Sequence, residues 1–294
     1  MISYLLAIGT LGMVYALLAL ALNFQWGYTG LINFGVAGFF AIGAYTTAIL
    51  TGHGWPVLTA VIAAVMVGVL LGFPIALLSV RLRDDYLAIT TLGFSEVVRL
   101  IAVNEGWLTN GTNGISNIPQ LFPGMSNATY AWVVFCVLAV TVLATYLLLE
   151  RLGRSPFGRT LEAIREDETA VMAIGKSPTN FKTRSFVIGT GIMGLAGALY
   201  AHYINFVSPE QFLPLVTFYV WMALILGGAG SNLGALAGSF VLVVFLEGSR
   251  FLKDLFPMID EPRLAAARYI VVGLALILLI LYRPNGIFIR RRQT

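Results

Sequence analysis

The sequence has 294 residues, of which 58% are hydrophobic and 11% are charged, and its formal net charge is +4. Charged residues make up roughly a quarter of an ordinary soluble domain, so this composition excludes one and indicates a chain that lies largely within a bilayer. The basic excess is explained by the preference of Arg and Lys for cytoplasmic loops, and it gives no reason to predict nucleic-acid binding.

Apolar runs that cross the hydrocarbon core of a membrane as a helix need roughly 20 residues. The sequence therefore predicts an all-α integral membrane protein, a multi-pass bundle of about nine transmembrane helices, with eight or ten as the alternatives, in one domain over residues 1–294. The seventh and eighth runs are short and interrupted by glycine. The spans are predicted near residues 3–22, 31–50, 57–80, 86–103, 129–149, 185–205, 214–230, 234–250 and 265–282.

The start of the second span is rich in glycine and polar side chains, beginning with Trp26-Gly27-Tyr28-Thr29-Gly30. A packed helix start explains this composition. A broken helix explains it as well, and would aim free backbone N–H groups at a polar solute within the membrane. Tyr28, Thr29 and Asn33 are therefore candidate residues of a substrate pathway.

Two charged residues, Glu96 and Arg99, lie three positions apart in the middle of the fourth span. A lone charge there costs about 3 kcal/mol on insertion scales, so each is expected to neutralise the other or to face water. A structural ion pair and a role in a pathway are both consistent with this spacing. Glu96 joins the candidate pathway residues.

The stretch 104–128 contains no Lys or Arg and is rich in Asn, Gly and Pro. Loops of this length tend to be functional or disordered. Since basic residues favour the cytoplasmic side, we expect this loop to be external, with the amino terminus on the same side. Asn113 and Gly114, in this loop, complete the candidate pathway set.

Residues 150–184 form the one long charged segment, with seven basic and five acidic side chains. Pro156 can open a helix, Gly175 can end it and Pro178 follows, so the sequence predicts one helix over residues 157–174. In that helix Leu161, Ile164, Met172 and Ile174 share an apolar side opposite a charged one. An ordinary solvated loop helix and a docking element both fit this pattern.

Motifs that resemble nucleotide sites lack their structural context. Gly175-Lys176-Ser177 has Ala170 where a phosphate-binding loop needs glycine, so nucleotide binding by this chain is not predicted. The glycines of residues 189–194, and Gly230, Gly234 and Gly238, instead indicate close helix packing. The sequence also shows no set of catalytic, metal-binding or cofactor-binding residues.

Six stretches together resemble the permease subunits of ATP-binding-cassette importers of the branched-chain amino acid class, specifically the LivM-like subunit, a class whose members also carry urea and short amides. They extend over most of the chain in the order of the family. The matching stretches are residues 27–45, 91–100, 108–115, 157–181, 226–238 and 282–288.

This resemblance implies that residues 157–175 form a cytoplasmic coupling helix that seats in a groove of the ATPase subunit. Glu168, Ala170 and Gly175 resemble a relaxed form of the Glu-Ala-Ala and Gly signature of importer permeases. Thr169 departs from the stricter form. The residues expected to take part in ATPase coupling are Arg159, Glu162, Arg165, Glu166, Asp167, Glu168 and Gly175.

The resemblance further implies a non-enzymatic subunit in a bacterial cytoplasmic membrane. It would pair with a second, homologous permease, receive substrate from an external binding protein and be driven by two ATP-binding subunits. The substrate class stays open between branched-chain or other apolar amino acids and urea or short amides. The alternative function is a self-sufficient secondary transporter or channel for a small polar solute, for which Glu96 with Arg99 is the central ion-coupling candidate.

Overall fold

The computed structural model of this chain describes residues 2–79, 84–122 and 124–248, together with residues 270, 273 and 274. These residues are mostly helical. The α-helices are α1 (Ile2–Leu22), α2 (Val36–Gly52), α3 (Val57–Ser79), α4 (Asp84–Asn104), α5 (Gly106–Thr109), α6 (Asn127–Arg154), α7 (Pro156–Glu166), α8 (Glu168–Ala173), α9 (Pro178–Ile204), α10 (Pro214–Gly227) and α11 (Asn232–Gly248). The short elements are a π-helix (Asn23–Gly27), two 3-10 helices (Gly111–Asn113 and Pro209–Phe212) and the strands β1 (Ile115–Ser116) and β2 (Phe206–Val207).

Eight of the nine predicted spans correspond to helices of the described chain, which confirms the all-α membrane class. The helices long and apolar enough to cross a membrane are Ser3–Gly27, Val57–Leu78, Asp85–Asn104, Thr129–Arg154 and Pro178–Ile204. Three shorter apolar helices accompany them: Val36–Gly52, Pro214–Gly227 and Asn232–Glu247. The ninth predicted span lies outside the described residues except for residues 270, 273 and 274, so the count of nine stays a prediction.

Helices α1 and α9 lie at the centre of the bundle. In their most apolar stretches 61% and 67% of the residues are buried, against 22 to 28% in α3, α4 and α6. Helix α1 is apolar on all sides, as a helix surrounded by other helices must be. The outer helices leave large apolar side chains exposed, such as Leu70, Ile89 and Val140.

Glycines allow the inner helices to approach one another closely. A Cβ atom added at Gly43 of α2 would lie 2.0 Å from the carbonyl oxygen of Gly194 in α9, and one at Gly238 of α11 would lie 2.0 Å from that of Ala223 in α10. The packing role predicted for these glycine stretches is confirmed. The packing role predicted for Gly230 is wrong, because Gly230 lies in the turn between α10 and α11 and not within a helix.

The bundle has two distinct ends, joined by the long helices α6 and α9. At one end, here called the loop end, β1 pairs antiparallel with β2, with Ile115 opposite Val207. The Asn205 side chain donates to the Ile118 carbonyl oxygen there at 2.8 Å. At the other end, here called the coupling end, α6 leads into α7 and α8, which precede α9. The predicted loop and the charged segment therefore lie on opposite sides of the bundle.

Candidate functional site

The charged segment folds as two helices because Asp167 interrupts it. Asp167 has extended backbone angles (φ −153°, ψ 104°), so α7 ends at Glu166. Its Oδ1 atom accepts hydrogen bonds from the backbone N–H groups of Thr169 (2.9 Å) and Ala170 (3.1 Å) and so caps α8. An Asp side chain that bonds to the backbone in this way favours a helix start over a helix interior. The prediction of one helix over residues 157–174 is therefore wrong.

The same break separates the apolar residues that a single helix would have placed on one side. Leu161 and Ile164 of α7 are buried, whereas the side chains of Met172 and Ile174 are 51% and 70% exposed. The predicted common apolar side is therefore wrong, since the helical phase is lost at Asp167. Instead, α8 and the turn after it present two large apolar side chains outward.

Most of the predicted coupling residues lie at the surface of the coupling end. Glu162 and Glu168 are half-buried. Gly175 occupies the left-handed region of backbone space (φ +78°) in the turn after α8. The exposed members are Arg159, Arg165, Glu166, Asp167 and Gly175.

Two contacts tie this segment to the membrane helices. The Arg165 guanidinium donates from Nη1 to the carbonyl oxygen of Gly27, at the end of the π-helix that follows α1. The Glu168 carboxylate forms an ion pair with Lys182 in the first turns of α9. The charged segment therefore contacts both central helices of the bundle.

Electrostatics within the segment favour an ionised Asp167. The hydroxyl of Thr169 and the backbone N–H groups of Ala170 and Thr169 hydrogen-bond its carboxylate and hold its pKa below the usual Asp value. Hydrogen bonds to the charged form of a carboxyl group favour that form. The α8 cap is therefore charged at neutral pH.

Next to the coupling end lies a buried polar layer, formed by Asn23, Gln25, Thr29, Asn33, Ser185 and Asn232, each at most 2% exposed. Asn23 joins the two sides of the layer: its Nδ2 donates to Asn232 Oδ1 at 2.9 Å, and its Oδ1 accepts from the Gly230 N–H at 2.8 Å. Asn232 in turn donates to the Tyr28 hydroxyl (3.1 Å) and to Glu150 Oε2 (2.9 Å).

The rest of this layer satisfies the irregular backbone between the π-helix and α2. Gln25 donates to the Phe186 carbonyl oxygen and accepts from Asn33 Nδ2, both at 2.8 Å. The Trp221 indole donates to the Asn33 carbonyl oxygen at 3.0 Å, and the hydroxyls of Thr29 and Ser185 lie 2.7 Å apart. Non-helical backbone at membrane depth is tolerated where protein groups satisfy it in this way.

The structure thus brings three predicted pathway residues, Tyr28, Thr29 and Asn33, into or against one layer. All three are buried and hydrogen-bonded to protein groups. Of the two alternatives left open for this stretch, the structure has the interrupted backbone, because α2 begins at Val36 and not near residue 31. Sequence reasoning missed Asn23, Gln25, Ser185 and Asn232. The available signal was an uncharged polar side chain within or beside an otherwise apolar run.

The fourth predicted pathway residue, Glu96, pairs with Arg99 within α4, one of the outer helices of the bundle. Arg99 Nε lies 3.0 and 2.9 Å from the two carboxylate oxygens of Glu96, and Nη2 also donates to Oε1. The side chains are 37% exposed for Glu96 and 22% for Arg99. The expected mutual neutralisation is confirmed, and the pair lies apart from the buried polar layer.

The remaining two, Asn113 and Gly114, lie at the loop end. Asn113 is exposed, and Gly114 is buried with φ +71°. A Cβ atom at residue 114 would lie 2.3 Å from the Val207 carbonyl oxygen, so glycine allows β1 to approach β2. The predicted pathway residues therefore occupy three separate places along the bundle.

A buried histidine links the loop end to the helices. His202 Nδ1 lies 2.7 Å from the Pro119 carbonyl oxygen, and Nε2 lies 3.0 Å from the Thr47 hydroxyl. Both ring nitrogens thus contact protein groups. In the part of the chain that the structure describes, no group of three or more His, Cys, Asp or Glu residues could hold a metal ion.

These features define a multi-pass α-helical membrane protein with a charged two-helix segment at one end and an ordered loop at the other. Residues 4–281 match the family described as the branched-chain amino acid transport system permease component, and the chain belongs to this family. The predicted family is therefore confirmed.

Relatives in several organisms carry the same description. The chain is 37% identical to the high-affinity branched-chain amino acid transport system permease protein LivM of Salmonella typhimurium, over 95% of this chain and 69% of that protein. It is 30% identical to the probable LivM of Methanocaldococcus jannaschii (93% and 90%) and 25% identical to LivH of Escherichia coli (79% and 80%). No solved structure matches it significantly.

Proposed function

We propose that this chain is the permease subunit of an ATP-driven importer that carries branched-chain or other apolar amino acids across a bacterial cytoplasmic membrane. The names of its relatives, which describe branched-chain amino acid transport, support this substrate class. Urea and short amides form the second substrate class to test. The chain itself performs no chemistry, and separate subunits hydrolyse ATP.

The observation that carries this proposal is the attachment of α7 and α8 to the central helices. Arg165 reaches the end of the π-helix after α1, and Glu168 pairs with Lys182 of α9. A subunit that moves α7 and α8 would therefore bias the packing of α1 against α9. A ligand or partner shifts a conformational equilibrium only through contacts that differ between the states, and these two contacts are suited to that role.

The outward side of the same segment supplies the surface for an ATPase subunit. Glu166 and Asp167 are exposed at the junction of α7 and α8, and the apolar side chains of Met172 and Ile174 are exposed at the other end of α8. Protein interfaces commonly surround an apolar centre with polar groups. In this proposal Met172 and Ile174 enter a groove of the ATPase, and the charges of Glu166 and Asp167 set the orientation in which the ATPase binds.

The other partners follow from the two ends of the bundle and from its sides. An external binding protein delivers substrate at the loop end, where Asn113 and Gly114 border the pathway. A second, homologous permease packs against exposed apolar helix faces, and lipid covers the rest. Farther along the pathway lie Tyr28, Thr29 and Asn33, with Glu96 on the outer part of α4.

Affinity purification of the tagged chain in mild detergent tests the assembly. We expect a second permease and ATPase subunits to remain bound, and to be lost when residues 157–175 are deleted. Recovery of this chain alone, active in vesicles without ATP, would favour the secondary transporter instead.

A point substitution tests the docking surface without removing it. Glu166→Lys reverses an exposed charge at the junction of α7 and α8, so we expect uptake to fall at least about tenfold while membrane insertion is unchanged. The matched control is Asp85→Lys near the start of α4, which reverses an exposed charge outside α7 and α8. Normal uptake by the Glu166→Lys variant would contradict the docking proposal.

A further inference from the structure

Helix α4 differs from the other two outer helices, α3 and α6, in the residues of its exposed side. Helix α3 contains no charged residue, and the charged residues of α6 are confined to its last turns. The exposed side chains near the middle of these two helices include large apolar ones, such as Leu70 of α3 and Leu143 of α6, which suit contact with lipid. Helix α4 instead carries the partly exposed ion pair of Glu96 and Arg99.

This ion pair lies at the depth of the hydrocarbon core. An α-helix rises about 1.5 Å per residue, so the 21 residues of α4 span about 30 Å, which is the thickness of that core. Glu96 lies about 12 Å along the helix from Asn104 and about 18 Å from Asp84. Arg99 lies one turn nearer to Asn104. Both charges are therefore surrounded by the membrane and not by the bulk water on either side.

The ion pair leaves a polar group without a partner. The side chains of Glu96 and Arg99 are 37% and 22% exposed, although each neutralises the other. The guanidinium contacts use Nε and Nη2, so the N–H groups of Arg99 Nη1 have no acceptor within the described residues. Charged groups within a bilayer almost always face protein or a water-filled cavity, because lipid tails offer no hydrogen bonds. Lipid is therefore a poor match for this side of α4.

Gly93 gives the same side of α4 a point of close approach. It precedes Glu96 by three positions and Leu100 by seven, so the three residues share one side of the helix. Gly93 is exposed, and a Cβ atom added there would meet no other part of the described chain within 4 Å. Contacts between membrane helices combine small residues with hydrogen-bonding side chains. This side of α4 presents both.

The residues of the α4 face, as this side is called here, are Gly93, Glu96, Arg99 and Leu100. We infer that the α4 face packs against a membrane helix of the second permease subunit, an inference that rests on the proposed function. Its depth decides the partner, because an ATPase subunit reaches only the coupling end and an external binding protein only the loop end. The partner helix passes over Gly93 and supplies an acceptor for Arg99 Nη1. The apolar sides of α3 and α6 stay in contact with lipid.

Replacing Gly93 tests the close approach without disturbing this chain. Gly93→Leu fills open space, and Leu favours a helix interior more than Gly does, so α4 keeps its fold. We expect the amount of second permease recovered with the tagged chain in mild detergent to fall about tenfold, because the added side chain blocks the partner helix. Gly52→Leu is the matched control, since residue 52 is also exposed and has open space around it. In that variant the recovery should change by less than about twofold.

A photo-crosslinking amino acid identifies what covers the α4 face in the assembled complex. The test variant is Leu100→benzoylphenylalanine, and the matched control is Leu143→benzoylphenylalanine on α6. Both leucines are exposed, at 44% and 57%. On illumination in membranes we expect residue 100 to form an adduct with the second permease at least about tenfold more often than residue 143 does.

Uptake driven by ATP, measured on the same preparations, separates this inference from the proposed function. If the unchanged complex imports leucine and Gly93→Leu retains the second permease as well as Gly52→Leu does, the inference is wrong and the function stands. An adduct of residue 100 with lipid alone, or with another part of the same chain, likewise overturns the inference. If import is absent but residue 100 forms an adduct with a homologous membrane protein that Gly93→Leu releases, the inference stands without the function.

Discussion

The buried polar layer and the charged segment lie next to each other, yet their polar groups differ in exposure to solvent. In the layer, Asn23, Asn33 and Asn232 are at most 2% exposed and bond to other protein groups. In the segment, Glu166 and Asp167 lie at the surface. The polar groups of the layer are therefore enclosed by protein, whereas those of the segment lie at a surface that a partner can reach.

This difference follows from the cost of burying polar groups. A buried donor or acceptor without a partner costs about 1–3 kcal/mol, so every polar side chain in the layer is tied to its neighbours. An exposed charge carries no such cost and contributes little to stability. Substitutions in the layer should thus change unfolding, and substitutions in the segment should change transport.

The largest expected effect is that of Asn23→Leu. This change leaves the Gly230 N–H and the Asn232 side chain without their partner, so we expect the free energy of unfolding to fall by about 2–3 kcal/mol. Thermal unfolding of the purified chain in detergent measures it. Asn104→Leu, at an exposed position, is the control and should change stability by less than about 0.5 kcal/mol. Equal effects of the two changes would contradict the contrast between the regions.

Arg165 connects the two regions, so its replacement should affect transport more than stability. Arg165→Gln removes the guanidinium group, which donates a hydrogen bond to the Gly27 carbonyl oxygen. We expect ATP-driven uptake to fall about tenfold, while ATP hydrolysis and the unfolding temperature change little. Uptake and hydrolysis are measured together in proteoliposomes. A parallel loss of both activities would instead indicate that Arg165 holds the ATPase on the chain.

A smaller effect is expected for the hydroxyl pair of Thr29 and Ser185. Ser185→Ala removes one partner, but the Thr29 hydroxyl still lies 3.3 Å from the Phe24 carbonyl oxygen. The expected loss of stability is about 1 kcal/mol. A double-mutant cycle with Thr29→Val measures the interaction between the two hydroxyls, for which about 0.5–1 kcal/mol is expected. A coupling energy of zero would show that the two groups act independently.

The sequence predicted the membrane class and the two ends of the bundle because these depend on local composition. Long apolar runs and the position of Arg and Lys identify helices and loops without knowledge of packing. The interruption before α2 was one of two alternatives that the closely spaced Gly27, Gly30 and Asn33 left open. These signals are all contained within one segment of the chain.

What the sequence did not reveal depends on residues that are far apart. Asn23 and Asn232 are separated by 209 positions, and only the fold shows that they bond to each other. The pocket lined by side chains of α1, α2, α9, α10 and α11 is another such feature, because no single stretch of sequence predicts it. The break at Asp167 is different, because its signal is local: Pro156 and Gly175 fit the ends of one helix, and the capping capacity of Asp167 between them is what divides it into two.

The smallest expected effect is a local dependence on pH at the start of α8. Hydrogen bonds from Thr169 and Ala170 lower the pKa of Asp167 in the folded chain. Its stabilising effect is therefore fully present above the ordinary Asp pKa of about 3.9, and is lost as the pH falls through the lower folded value. Protection of the Thr169 and Ala170 amides from hydrogen exchange, measured from pH 7 downward, should decrease only at the acidic end.

The control is Asp167→Asn, which keeps a side chain that can cap α8 but cannot titrate. In that variant the protection of the two amides should stay constant over the same pH range. A matching decrease would assign the pH dependence to another group.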